Sequence, residues 1–220
     1  MPNVREKFHD ELIELQEKLL ELGRLTEEAL SNAIIALEQQ NIDMALEVID
    51  GDSEIDLLYE EINDFSILLI AKQQPVAIDL RRIIVGIKIA TDIERIADFA
   101  VNIAKATIRI GEAQFVQPIV HIKEMYEITI QMLKLSLEAF VADDTVKAKL
   151  VADMDDRVDD LYGQAIQELM MITQQNPEIL AQITQLSFTC RYLERAADHI
   201  TNISEHIFYL VKGRQFDLNH

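Results

Sequence analysis

A ten-residue string, Glu-Arg-x-Ala-Asp-x-x-x-Asn-Ile, runs from Glu94 to Ile103 and returns from Glu194 to Ile203. Each copy spaces a glutamate, an aspartate and an asparagine at intervals of four residues. On an α-helix those side chains form one oblique row. A chain that repeats such a row is built of two similar halves, each with the same polar site. The likeness extends upstream. Asp52, Ile55, Asp56, Leu58 and Tyr59 match Asp155, Val158, Asp159, Leu161 and Tyr162, and Leu37, Ala45 and Val48 match Phe140, Ala148 and Val151 at the same offset. The ten-residue string returns at an offset three residues shorter. The second half has therefore lost three residues in the turn near Pro75 and Pro177, since loops tolerate length changes.

Apolar periodicity reads as six long helices, roughly Val4–Gln40, Asp43–Lys72, Val76–Ile110, Pro118–Val141, Asp144–Gln174 and Pro177–Lys212. Asn41 to Asp43 and Asp143 to Asp144 are capping-type residues. Pro75, Pro118 and Pro177 sit near helix starts, where a missing N–H costs little. Gly111 and Gly213 follow helical runs, as C-terminal caps do. The third and sixth segments carry matching apolar stripes, Ile89, Ile93, Ile96, Ala100 and Ile103 against Leu193, Ala196, Ile200, Ile203 and Ile207. The expected fold is all-α: two tandem three-helix bundles, residues 1–112 and 113–220, joined through the segment around Gly111 to Gln117.

Composition narrows the function classes. Apolar residues make up 49% of the chain, enough for a sizeable core, and the absence of Trp points to an aliphatic one. The net charge of −19 repels nucleic acid, and no basic stripe offsets it. Cys190 is the single cysteine, so no internal disulfide forms, which fits a reducing cytoplasm. Met1 to Asp10 is charged and lacks the apolar run of a signal peptide. No stretch approaches the ~18 apolar residues of a membrane span.

The acidic rows carry the chemistry. Asp52 and Asp56 lie four apart on the second helix, as do Asp155 and Asp159 on the fifth. An antiparallel neighbour brings each pair alongside Glu94–Asp98 or Glu194–Asp198. Four crowded carboxylates stay ionised only with raised pKa values or a bound cation. An all-oxygen set suits hard or borderline metals, with Mg, Mn, Fe, Zn and Ni all compatible. Arg95, Arg195, Asn102 and Asn202 stand ready to support the carboxylates. A plainer reading is also open. Acidic residues number 39 of 220, so pairs four apart recur elsewhere, as in Asp10–Glu14 and Glu60–Asp64. The arginine after each glutamate equally makes structural ion pairs. His199 faces a counterpart, Phe99, that is no ligand, so it reads as a packing or surface histidine. The five histidines show no cluster. No Gly-rich phosphate loop, nucleophile elbow, Cys–His pair or doubled Glu-x-x-His motif is present, and no catalytic residue is assigned. A metal-dependent enzyme or a cation-sequestering helical protein using these same carboxylates remains an alternative to a regulator.

The stretches Gln74-Pro-Val-Ala-Ile-Asp-Leu-Arg-Arg-Ile-Ile84, Asp92-Ile-Glu-Arg-Ile-Ala-Asp98 with Asn102-Ile-Ala104, and Leu193-Glu-Arg-Ala-Ala-Asp-His199 with Asn202-Ile-Ser-Glu205 resemble the PhoU family of phosphate-signalling proteins, over essentially the whole chain. The resemblance implies two repeated three-helix bundles in a non-enzymatic cytoplasmic regulator, commonly a homodimer. It implies restraint of the phosphate-starvation response by docking between the ATPase subunit of a phosphate ABC transporter and a sensor histidine kinase. It also implies metal ions on (Glu/Asp)-x-x-x-Asp motifs, here Asp52, Asp56, Glu94 and Asp98 in one half and Asp155, Asp159, Glu194 and Asp198 in the other. The chain departs from many relatives at Ala97 and Ala197, where they have glycine, and at Phe99, where they have histidine.

Overall fold

The computed structural model describes residues 4–111 and 120–218, with residues 4 and 5 described by their backbone alone. Its helices are α1 (Val4–Gln39), α2 (Ile42–Gln73), α3 (Ile78–Ile110), α4 (Val120–Ala142), α5 (Thr145–Gln175) and α6 (Leu180–Lys212), with a 3₁₀ turn at Pro177–Ile179 before α6. The expected six-helix, two-repeat architecture is what is observed. Pro118, the junction after Gly111 and the boundary between residues 112 and 113 lie outside the described residues.

The turns obey local chemistry. Gln40 and Asp143, equivalent positions in the two halves, both take left-handed backbone (φ 52°) and end their helices. Asn41 N–H then donates to the Ala36 carbonyl and Asp144 N–H to the Ala139 carbonyl, each at 2.9 Å, closing a Schellman-type turn. The same two residues cap the next helix, Asn41 accepting from Met44 N–H and Asp144 from Val146 and Lys147 N–H. Gly111 (φ 67°) and Gly213 (φ 73°) terminate α3 and α6 through their N–H groups, as their sequence positions suggest. Residues 74–77 separate α2 from α3, whereas Asn176 alone separates α5 from the 3₁₀ turn. The three-residue loss therefore falls in this turn. In the first half α3 starts at Ile78, two residues past the expected Val76, because Gln74 (φ 48°) and Ala77 (φ 50°) both take left-handed backbone.

Each half packs its three helices up-down-up, and the halves join through α3 against α6, the most extensive helix contact, with α1 against α4 beside it. α3 and α6 run antiparallel: Asp92 meets His199 and His206, while Phe99 meets Tyr192. The stripes anticipated on α3 and α6 are buried throughout, and the apolar side chains of both halves form one continuous aliphatic cluster. Ala97 and Ala197, at 1% and 0% exposure, both belong to this cluster. A Cβ on Gly23 would come within 2.3 Å of Leu137 Cδ1, so the Leu137 side chain of α4 packs into the space that this glycine leaves on α1. Among the described residues no helix is long and apolar enough to cross a membrane.

Candidate functional site

Antiparallel packing of α2 on α3 slides Asp52 alongside Asp98 and Asp56 alongside Glu94, where they feel one another's charge. The same pairing of α5 with α6 sets Asp155 and Asp159 against Asp198, with Glu194 next to Asp198 and Asp159. The structure thus gathers each set of four carboxylates on one face of its own half.

Electrostatics records the crowding. Burial, then the charges of Asp56 and Asp98, hold Asp52 above the ordinary carboxylate range. Glu94 is raised by burial and Asp98, against the pull of Arg95. In the second half Asp155 is pushed up to about 7, chiefly by burial, with Asp159 and Asp198 adding to it. Burial also leads the upward shifts of Asp159, Glu194 and Asp198; Asp198 adds to the first two, while Arg191 opposes all three.

The supporting residues divide. Arg95 bridges its own row, 3.5 Å from Glu94 Oε2 and 2.8 Å from Asp98 Oδ2. Arg195 instead lies over the Phe99 ring at 5.3 Å. Asn102 is half-buried one turn beyond Asp98. Asn202 turns away from the carboxylate row and donates to Asp92 Oδ1 at 3.4 Å. Arg191, which the repeat does not mark because its counterpart is Thr91, hydrogen-bonds Glu194 Oε1 and stacks on Tyr162.

The sequence reading also missed Asp92. This residue is 7% exposed, and its oxygens receive His199 Nδ1 at 2.8 Å and His206 Nε2 at 3.1 Å. Burial alone would raise the Asp92 pKa, but the two imidazoles outweigh it and hold the carboxyl below its usual range. Two of the histidines that looked scattered therefore meet on one carboxylate. The available signal was their seven-residue interval, which puts both on one face of α6. The pseudo-symmetric counterpart of this staple is apolar, Phe99 stacked on Tyr192 at 6.1 Å.

Among the described residues no three His, Cys, Asp or Glu side chains are set around a common point as a bound ion requires. The carboxylates lie in rows, so a cation has to draw them together by side-chain rotation. Their chemistry nonetheless fits one. All are oxygen donors, and Glu194 Oε2 is buried without a hydrogen-bond partner.

Comparison with known proteins reveals the same duplication. The PhoU domain family matches this chain twice, over residues 19–107 and 122–207. A curated relative from Clostridium acetobutylicum, described as a phosphate-specific transport system accessory protein PhoU homolog, is 41% identical over 216 residues, covering 98% of this chain and 99% of its own. The crystal structure of PhoU from Pseudomonas aeruginosa superposes with a TM-score of 0.90 at 31% identity, covering 94% of this chain and 100% of that one. The crystal structure of the phosphate transport system regulatory protein PhoU from Streptococcus pneumoniae gives the same TM-score of 0.90 and 31% identity, covering 96% of this chain and 99% of that one.

Proposed function

The chain belongs to the PhoU family, whose members are accessory and regulatory proteins of phosphate transport rather than enzymes, and from that premise we propose that its carboxylate rows are cation sites serving a docking protein. It works in the cytoplasm as a homodimer of two-unit chains, residues 1–112 and 113–220. It docks between the ATPase subunit of a phosphate ABC transporter and a sensor histidine kinase, and restrains the phosphate-starvation response when phosphate is plentiful. The cation is one of Fe, Mn, Mg, Zn or Ni, held by Asp52, Asp56, Glu94 and Asp98 in one half and by Asp155, Asp159, Glu194 and Asp198 in the other. One observation carries the metal reading: carboxylates from neighbouring helices meet in both halves and raise one another's proton affinity, a penalty that a cation relieves. Docking is supported by exposed apolar pairs at equivalent places near the ends of α2 and α5, Ile67–Leu68 and Met170–Met171.

Replacing Glu94 and Asp98 together by Ala is expected to halve the metal content at saturation, with helicity intact by circular dichroism. A pull-down with the transporter ATPase subunit is expected to depend on added divalent metal. Unchanged metal stoichiometry in the double variant refutes the ligand assignment, and metal-independent capture separates docking from the carboxylates.

A further inference from the structure

A groove of about 340 Å³ runs between α1 and α2 of the first half, with Leu25, Ala29 and Val48 on its apolar floor and Glu28, Glu47 and Glu54 at its rim. It is open because two positions are small. A Cβ added to Gly51 would meet no atom within 4 Å, and Ala29, across the groove on α1, offers only a methyl group.

Duplication supplies the comparison. At the offset that aligns Leu37 with Phe140, the second half has Met132 where Ala29 stands and Met154 where Gly51 stands. Met132 is fully buried, and Met154 packs on the core cluster. The acids are exchanged as well: Glu28, Glu47 and Glu54 correspond to Gln131, Leu150 and Arg157. Arg157 reaches Glu124 at 2.7 Å and ties α5 to α4. The first-half counterparts of that pair, Glu54 and Glu21, are both acids and cannot tie α2 to α1 in this way. The second half fills this position with its own side chains, and the first half leaves it open.

Charge and length select the occupant. Arg24 already holds Glu28, whereas Glu47 and Glu54 are exposed and make no ion pair among the described residues. Their seven-residue interval puts both on one face of α2. Along α2 the lining runs from Met44 to Ile55, which is about 16 Å at 1.5 Å per residue. A docked helix with apolar anchors at i, i+4 and i+7 needs ~10 Å of that length. A second copy of this chain, itself carrying −19, is repelled at such a rim.

We propose that the α1–α2 groove of the first half receives a basic amphipathic helix of a partner protein, its apolar stripe on the groove floor and its Lys or Arg residues beside Glu47 and Glu54. Burial of the stripe supplies the affinity, and the exposed acids set orientation and the speed of encounter. The groove is separate from the carboxylate rows, so this reading stands apart from the cation sites.

The test uses the full chain and a labelled synthetic helix, with leucines at i, i+4 and i+7 and lysines on both flanks, followed by fluorescence anisotropy. A second helix carries glutamate in place of every lysine. Wild type is expected to bind the basic helix and not the acidic one. Gly51→Met with Ala29→Met installs the residues of the second half. It is expected to weaken binding about tenfold or more, the loss from expelling one leucine anchor. It is also expected to melt no lower than wild type, since methionine favours a helix interior over glycine. Glu47→Gln with Glu54→Gln is expected to weaken binding roughly fivefold and to flatten its salt dependence. Glu127→Gln with Glu138→Gln, an equal charge change on α4, is expected to leave binding unchanged. A filled groove that binds like wild type, or an α4 variant as weak as the rim variant, reduces the effect to general attraction by an acidic surface and overturns the proposal. Equal binding of the acidic helix overturns the basic partner. A wild-type dimer that Gly51→Met with Ala29→Met dissociates, followed by sedimentation, assigns the groove to a second copy and overturns it too. No binding of the basic helix to wild type does the same, and none of these results bears on metal content.

Discussion

Asp155→Asn in the metal-free protein is expected to stabilise the fold while removing second-half metal binding. Burial and its acidic neighbours lift Asp155 from an ordinary 3.8 to about 7. At ~1.36 kcal/mol per pH unit, the ionised carboxyl costs the native state about 4 kcal/mol at pH 8. The native state binds this proton more tightly than the unfolded chain. The contribution is therefore fully present below the unfolded pKa near 4 and is lost as pH rises to about 7. A neutral amide of the same shape removes that loss. Its NH₂ group must find acceptors in a buried site, which offsets about 1–2 kcal/mol. The net gain is about 2–3 kcal/mol at pH 8, or roughly 5–10 °C in Tm for a chain of this size. Calorimetry with chelator present, from pH 4 to 8, reads it directly. The wild-type curve should decline across that range and the variant's should decline less. With saturating divalent metal the order should invert, because only wild type gains binding energy at this site. A metal-free variant at pH 8 that melts at or below wild type refutes both the buried charge and the crowding argument.

Two further perturbations address other parts of the molecule. Asp92→Ala strips the shared acceptor from His199 and His206 and should cost about 2–3 kcal/mol by urea unfolding; a loss under 0.5 kcal/mol would mean that the staple contributes nothing to joining the halves. Cys190 is fully buried and its thiol is pushed up to about 12, so a disulfide reagent at pH 8 should label it only after denaturation. Rapid labelling of the native protein would show that α6 opens far more readily than its packing indicates.

Repetition made much of this fold legible in the sequence. Any helix period reveals an apolar stripe, but only a second copy showed which acidic pairs to align, and those alignments led to the rows that the structure gathers. Capping followed from short-range chemistry, as at Asn41, Asp144, Gly111 and Gly213. What escaped was set by contacts between the halves, which no local period encodes. Asp92 was not singled out because its partners lie on α6, more than a hundred residues away. Arg195 and Arg95 read alike, yet one stacks on an aromatic ring and the other bridges carboxylates, because the helix facing Arg195 offers it Phe99.

The α3–α6 seam has a further consequence for how such a chain can change. Asp92 with His199 occupies one end of the pseudo-dyad and Tyr192 with Phe99 the other. Two copies of the first half assembled the same way would face Asp92 with Phe99 twice, enclosing two carboxylates with no donor. Two copies of the second half would set Tyr192 against His199 and leave each imidazole without its acid. The halves arose as twins but are now lock and key, so neither can be replaced by a duplicate of the other.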